Sequence, residues 1–224
     1  MTILEAIQLR HAVRSYRDIP LSRETVKAMQ DEIDACNRES GLHIQLITDE
    51  PRAFESFMAH YGKFTGVRNY IALIGKKEPK LDERVGYYGE RLALFAQTLG
   101  LNTCWVAMSF SKRTVKNACT VASGEKLACV LSLGYGATQG VPHKNKPMEE
   151  LSCAQPPVPE WFCKGMEAAQ LAPTAMNQQK FCITLHNGAV SVKSLGGLYS
   201  NVDLGIVKYH FEAGAGKENF TWAE

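Results

Sequence analysis

Val26, Met29, Ile33 and Cys36 recur at steps of three and four residues, the apolar stripe of a helix that Pro20 and Ser22 open. Gly41 is placed to end that turn. Upstream, Thr2 and Glu5 have the spacing of a capping box, which predicts a short helix burying Ile3, Leu4 and Ile7. Leu42 to Thr48 alternates apolar and polar, as a half-buried strand does. Residues 51–62 read as a short helix with Phe54, Phe57 and Met58 on its apolar side. The run NYIALIG, residues 69–75, is continuously apolar and of strand length, which predicts a central strand.

A long helix is predicted over Leu81–Leu99, although it contains Gly86 and Gly89. Each glycine costs about 1 kcal/mol relative to alanine. Close approach of a flat ligand and close packing of another helix both account for that cost. Next come a strand over Thr103–Ala107, a helix over Lys112–Ala118 and a strand over Leu127–Leu133. Residues 155–159, QPPVP, are the most linker-like segment. A helix over Glu160–Leu171 then leads into the polar loop APTAMNQQ, residues 172–179. A hairpin, 180–186 and 189–193, turns at Asn187-Gly188. A helix over Val202–Ala213 and a short stretch, Asn219–Ala223, complete the pattern.

The two sides of the linker rhyme. Helix 23–36 and strand 42–48 correspond to helix 160–171 and strand 180–186. Gly89 to Trp105 and Gly205 to Trp222 each frame a helix, a glycine-containing turn and an aromatic strand. A period of about 135 residues is that of a duplicated half, not a solenoid. Residue-level similarity is weak, so chance patterning is the other reading. The duplication divides the chain into a first half, 1–154, and a shorter second half, 155–224.

Composition narrows the field. The 224 residues are 45% hydrophobic and 21% charged, which suits a soluble globular protein with a substantial core. A net charge of +2 gives no broad field for nucleic acid or a membrane surface, so any basic site is local. No run approaches the roughly 20 apolar residues of a membrane helix, and no signal peptide is expected. The seven cysteines are odd in number and lack C-x-x-C spacing. They are expected to be reduced, mostly small buried residues of a cytoplasmic protein. The six histidines are scattered, so no metal site is expected. Motifs for a P-loop, a Rossmann dinucleotide fold, a nucleophile elbow and a zinc protease are absent. Glu167 and the Asp31-Glu32-Asp34 run read as solvated helix faces.

The local basic site is RHAVRSYRDIP, residues 10–20, where Arg10, His11, Arg14 and Arg17 fall within eight residues. Guanidinium groups at this spacing can converge on a phosphate, whose oxygens match their fork. A solvated basic turn is the plainer reading. Together with APTAMNQQKF, residues 172–181, the stretch resembles the FMN-dependent nitroreductase family. That family carries an Arg-Arg-Ser-x-Arg-like segment near its start and an Ala-Pro-Ser-x-x-Asn-x-Gln segment over the flavin. The chain is similar over nearly its whole length to the branch in which one duplicated chain stands in for two subunits.

The resemblance implies an α+β, three-layer fold, mainly antiparallel sheets flanked by helices, with two similar halves forming a pseudo-dimer. The chain would be a monomeric pseudo-dimer or a homodimer. One FMN would be held by the phosphate-binding segment of the first half and the flavin-covering loop of the second. Arg10, His11 and Arg14 match the phosphate and ribityl positions, while Ala12 stands where the family usually has serine and removes a hydroxyl donor. Lys144 and Lys146, after Gly134-Tyr-Gly, resemble the family's late basic pair on the phosphate; an exposed loop pair is the alternative. Asn177 and Gln178 would meet the ring's polar edge, with Pro173 and Thr174 shaping the loop. Trp105, Val106 and Ala107 resemble the strand whose backbone faces flavin N5, and Asn69 would reach the pyrimidine edge.

No side chain is implied as a catalytic acid or base, because flavin N5 carries the hydride. NADH or NADPH would be the reductant, and nitroaromatics or quinones the acceptors, in ping-pong order. A non-catalytic flavin carrier or sensor of the same fold is the other function these residues allow.

Overall fold

The computed structural model describes every residue except 155, 156, 187 and 224. Part of the linker-like segment and the first residue of the hairpin turn therefore lie outside the described residues. The chain forms two compact units. The first comprises Leu9–Leu81 and Arg91–Pro142; the second comprises Met1–Gln8, Asp82–Glu90 and His143–Glu224. Helix α1 spans Ile3–Leu9 and α4 spans Leu81–Thr98.

The first unit is built on a four-stranded antiparallel sheet. Its strands are β1 (Gln45–Ile47), β2 (Asn69–Lys76), β3 (Asn102–Val106) and β4 (Glu125–Gly134), in the order β1-β2-β4-β3. β2 is flanked on both sides, and its residues 69–75 are all buried, as its unbroken apolar run requires. Helix α2 (Arg23–Ser40) buries Met29, Ile33 and Cys36. Ser22 caps its start by accepting from the Thr25 N–H, and Gly41, at φ 69°, closes its end.

Two expectations are corrected, one in this unit and one in α1. Residues 51–62 are not one helix. Glu50 accepts from the Ala53 N–H and starts a 3-10 turn over Pro51–Phe54; Ser56 then caps a separate helix, α3 (Phe57–Tyr61). The break changes the phase. Phe54 joins an aromatic cluster with Phe64 and Tyr70, while Phe57 is 82% exposed and Met58 is also exposed. In α1, Ala6 and Ile7 are buried but Leu4 faces solvent, since seven residues bury only a narrow stripe. The Thr2–Glu5 capping box is present in both directions, at 2.7 and 3.2 Å. Helix α5 (Lys112–Ala118) lies between β3 and β4 in the chain.

In the second unit, helix α7 (Glu160–Gln170) packs on α8 (Ser200–Ala215). A Cβ on Gly165 would stand 2.7 Å from the Phe211 ring, and one on Gly214 would overlap the Lys164 carbonyl. Gly86 of α4 faces α8 in the same way: a Cβ there would overlap the carbonyl of Val202 and stand 3.1 Å from Gly205. Close helix packing, not a flat ligand, explains that glycine. Strands β5 (Phe181–His186), β6 (Ala189–Ser194) and β7 (Thr221–Trp222) form a sheet in that order, β6 and β7 parallel. The tail is fixed by Phe220 stacked on Trp161, centroids 5.6 Å apart, and by the Trp222 indole N–H donating to Glu212. A short helix, α6 (Met148–Leu151), precedes a disulfide between Cys153 and Cys182.

That disulfide corrects the expectation of seven reduced cysteines. Ser152 bridges Ile183 in parallel, and the Cys153 N–H donates to the Ile183 carbonyl, which draws the two sulfurs together. Sequence spacing carries no sign of such a pairing. Of the cysteines outside that disulfide, Cys36, Cys104 and Cys129 are buried, Cys119 is half-buried and Cys163 is exposed. No helix among the described residues is long and apolar enough to cross a membrane, and none of their side chains form a metal-binding cluster.

Candidate functional site

In the first unit, residues 10–17 are stitched in place by backbone hydrogen bonds on several sides. The Val13 N–H donates to Thr103, Tyr16 to Thr65 and Arg17 to Tyr135; Thr65 donates to Arg14 and Ala137 to Ser15, all at 2.8–3.1 Å. Val13 and Tyr16 enter the core, while Ala12 and Arg14 face solvent. The Tyr16 hydroxyl donates to the Val13 carbonyl and shares a 2.7 Å hydrogen bond with Ser132. Burial raises its pKa well above the usual phenol value.

Arg10 and Arg14 both act on the buried Cys104 thiol. Burial raises the thiol's pKa, and the two guanidinium groups pull it partly back. Arg10 is only 4% exposed, whereas Arg14 is exposed and places its guanidinium carbon 5.9 Å from the Phe64 centroid. The Gly134–Gly140 turn closes over His11 and Ala12. A Cβ on Gly140, at φ 74°, would stand 2.7 Å from His11 Cβ. Asn102 Oδ1 fixes the turn by accepting from the Gly136 N–H at 3.0 Å.

Trp105 and Val106 end β3, an outer strand of its sheet, and Ala107 follows them. Ala12 bridges that outer edge at Thr103. Val106 is buried against Val130, while Trp105 and Ala107 are half-buried. Asn69 is buried at the start of β2, where its Oδ1 accepts from the Asp49 N–H at 3.1 Å.

In the second unit, Pro173, Thr174, Asn177 and Gln178 come together with Lys144 and Lys146. A 3-10 turn over Ala175–Asn177 follows α7, and Met176, Asn177 and Gln179 take positive φ of 53°, 53° and 44°. Left-handed backbone at non-glycine residues costs of order 1 kcal/mol each and persists only where surroundings impose it. Gln179, 3% exposed, imposes it here. Its N–H donates to Thr174 Oγ1, and its side-chain oxygen accepts from the Lys146 N–H at 2.9 Å. Its side-chain amide donates to the Lys144 carbonyl and to Asn177 Oδ1. The Lys146 ammonium donates to the Gln179 carbonyl at 3.2 Å.

Asn177 and Gln178 are engaged within the chain. The Asn177 amide donates to the Lys144 carbonyl at 2.9 Å. The Gln178 amide donates to the Leu198 carbonyl and to Asp203 Oδ2, at 2.8 and 2.7 Å. Asp203 Oδ1 accepts from the Ala175 N–H at 2.9 Å. Gly197, at φ 116°, admits Gln178, whose side-chain oxygen occupies the space a Cβ would take. The loop thus presents Met176, 89% exposed, next to the exposed Lys144 whose carbonyl it holds.

Asp203 carries no signal in the sequence that marks it for this role, whereas Gln179 stands at the last position of the Ala-Pro-Ser-x-x-Asn-x-Gln pattern, one residue past Gln178, the glutamine expected at the ring. Of the two adjacent glutamines, the Asn-x-Gln spacing, a positive φ and burial all mark Gln179 as the one that holds the loop. Asp203 is one acid in the first turn of α8, a place where acids are common. Burial raises the Asp203 pKa, and its two hydrogen bonds oppose the rise. A raised carboxyl pKa means the folded state holds a proton the unfolded state has released. This group's contribution to stability therefore falls as pH rises from the usual carboxylate value through the raised one. Asp203→Asn should flatten that slope in denaturant titrations run at several pH values. Asp203→Ala leaves two donors of the loop without their acceptor and should lower stability by about 1–3 kcal/mol.

A protein-family model described as "Putative TM nitroreductase" matches residues 2–215. The chain belongs to this nitroreductase family. Among solved structures, the nitroreductase-family chain is similar to a protein of Thermotoga maritima described as a putative nitroreductase. That match has a TM-score of 0.66 and 22% identity, and covers 97% of this chain and 85% of the other. A Desulfovibrio desulfuricans protein, described in the same words and solved in complex with FMN, gives a TM-score of 0.56 and 18% identity over 71% and 99% of the two chains. A Parabacteroides distasonis protein described as a putative NADH dehydrogenase/NAD(P)H nitroreductase gives 0.52 and 20% over 66% and 95%. At these identities the likeness is one of fold. No curated protein matches. The α+β character of this nitroreductase-family chain, with mainly antiparallel sheets and helices, agrees with that fold.

Proposed function

We propose that the chain is an FMN-dependent oxidoreductase that passes hydride from NADH or NADPH to nitroaromatic or quinone-type acceptors. The observation that carries this reading is the family match over residues 2–215, taken with the two arginines of the first motif and a strained loop at the second, hydrogen-bonded to Lys144 and Lys146. The FMN complex of the Desulfovibrio relative and the NAD(P)H name of the Parabacteroides relative support the cofactor and the reductant.

The donor chemistry fits the phosphate end of FMN. Arg14 and Lys144 offer exposed cations, and Arg10, like Arg14, acts on the Cys104 thiol. Phosphate oxygens accept from such groups in charge-assisted hydrogen bonds. His11 and Lys146 complete the proposed cationic set. At the ring, the engaged amides of Asn177 and Gln178 make positioning their proposed role: they fix the path of the loop begun by Pro173 and Thr174. Trp105, Val106 and Ala107 are proposed to face the ring with backbone at the end of an outer strand. Asn69 is assigned a supporting place, since its carbonyl oxygen holds the Asp49 turn. Bound FMN supplies the hydride acceptor and donor; the chain supplies position, hydrogen bonds and exclusion of water. Duplication of a half-chain, the two halves standing in for two subunits, is proposed with it.

The absorbance spectrum of the purified chain after FMN loading tests this reading, with one flavin per chain expected. Steady-state NADH or NADPH oxidation with a quinone should then follow. Stoichiometric flavin without turnover would move the assignment to a carrier or sensor, and no flavin binding would overturn it. Arg14→Ala should weaken FMN binding by about 5-fold, measured by quenching of FMN fluorescence, through loss of one charge-assisted contact.

A further inference from the structure

We propose that Cys153 and Cys182 form a reversible redox site that takes small thiols and small disulfides. Its state sets how firmly residues 144–153 are held against the loop and strand at 173–183. Two observations in the second unit carry this. First, the bridge is one of several fastenings between two segments that run side by side. Lys144 and Lys146 are hydrogen-bonded to Asn177 and Gln179 at one end. Cys153 is bonded to Ile183 through its backbone and to Cys182 through sulfur at the other. The 29-residue separation closed by the bridge contains α7 and the whole strained loop. Opening it releases the one covalent constraint on that loop.

Second, the two sulfurs differ in access. Cys182 is 3% exposed, while Cys153 is exposed and lines a cleft of about 470 Å3 with Pro159, Trp161, Thr184 and His186. Cys182, Thr184 and His186 share one face of β5 by the two-residue period of a strand. A small reagent therefore meets the Cys153 sulfur first. In the oxidising direction, the Cys153 thiolate attacks a small disulfide, whose S–S bond breaks and releases one small thiolate. The Cys182 thiolate then attacks the mixed disulfide at Cys153; the Cys153–Cys182 bond forms and the second small thiolate leaves. Two protein thiols lose two electrons, one small disulfide becomes two thiols, and the two protons go to the leaving sulfurs. Small thiols drive the reverse.

The test equilibrates the full chain in mixtures of reduced and oxidised glutathione and traps free thiols by alkylation. Non-reducing peptide mapping follows the bridge, and hydrogen exchange follows residues 144–151 and 173–180. Expected are conversion of the bridge with glutathione ratio, faster exchange in both segments on reduction, and FMN binding about 5-fold weaker or more. Cys153→Ser should behave as reduced wild type at every ratio; alkylated reduced wild type serves as a second sample if that variant folds poorly. Absence of the bridge under oxidising conditions, or equal exchange in both states, overturns the proposal. The FMN readout alone rests on the proposed function. Exchange that follows the bridge without FMN binding would uphold the redox site and sink the flavin reading. FMN binding with exchange unchanged would do the opposite.

Discussion

Gly205→Ala is expected to lower stability by about 3 kcal/mol or more, because a core overlap with backbone cannot be relieved by a side-chain rotation. A Cβ at this position of α8 would overlap the Glu83 carbonyl and stand 2.5 Å from the Tyr87 nitrogen of α4. The only relief is separation of the two helices, which opens their contact along its length. Gly86→Ala attacks the same contact from the other side, against Val202, and should act in the same direction. Gly100 supplies the control. It has φ 77°, and a methyl group there would have nothing within 4 Å, so alanine meets backbone strain alone, about 1–2 kcal/mol. Urea midpoints of the three variants check the order. A Gly205→Ala midpoint equal to that of Gly100→Ala would show that the helices are not packed through their backbones.

Glu90→Ala is expected to lower stability by about 3 kcal/mol, the scale for breaking a buried pair by removing one partner. Glu90 and His210 are both 0% exposed. His210 Nδ1 lies 3.0 Å from the Ala168 carbonyl, and its Nε2 lies 3.0 Å from Glu90 Oε1. A carbonyl only accepts, so Nδ1 carries a hydrogen. The contact at Nε2 then holds one further proton, on the imidazole or on the carboxyl. Alanine removes that partner and leaves a buried ring nitrogen facing a cavity. Glu90→Gln keeps a donor opposite Nε2 and should lose less than half as much. Thermal unfolding of the two variants separates these outcomes. Equal losses would mean that shape, not the shared proton, is what the site requires.

Much of the fold was legible in residue order because period and caps are local properties. The α2 stripe, the unbroken run of β2 and the hairpin strands all follow from spacing that one element can satisfy alone. The break in 51–62 was not legible. There, Glu50 and Ser56 compete as caps a few residues apart, and the choice depends on Phe54 finding Phe64 and Tyr70. The Cys153–Cys182 pair was hidden for the same reason: a parallel bridge at Ile183 makes it, and no spacing rule encodes that bridge.

The candidate site divides the same way. Sequence alone determined the cationic stretch 10–17, the basic pair at Lys144 and Lys146 and the amide-rich loop, because these are matters of residue type and order, and a family match needs no more. Tertiary structure alone decided which groups remain open. It buries Arg10 and leaves Arg14 exposed, turns the Asn177 and Gln178 amides inward, and makes Gln179 and Asp203 the groups that hold the loop. The physical reason is that a hydrogen bond is made with whichever partner lies within reach, and reach is set by chain segments far apart in sequence.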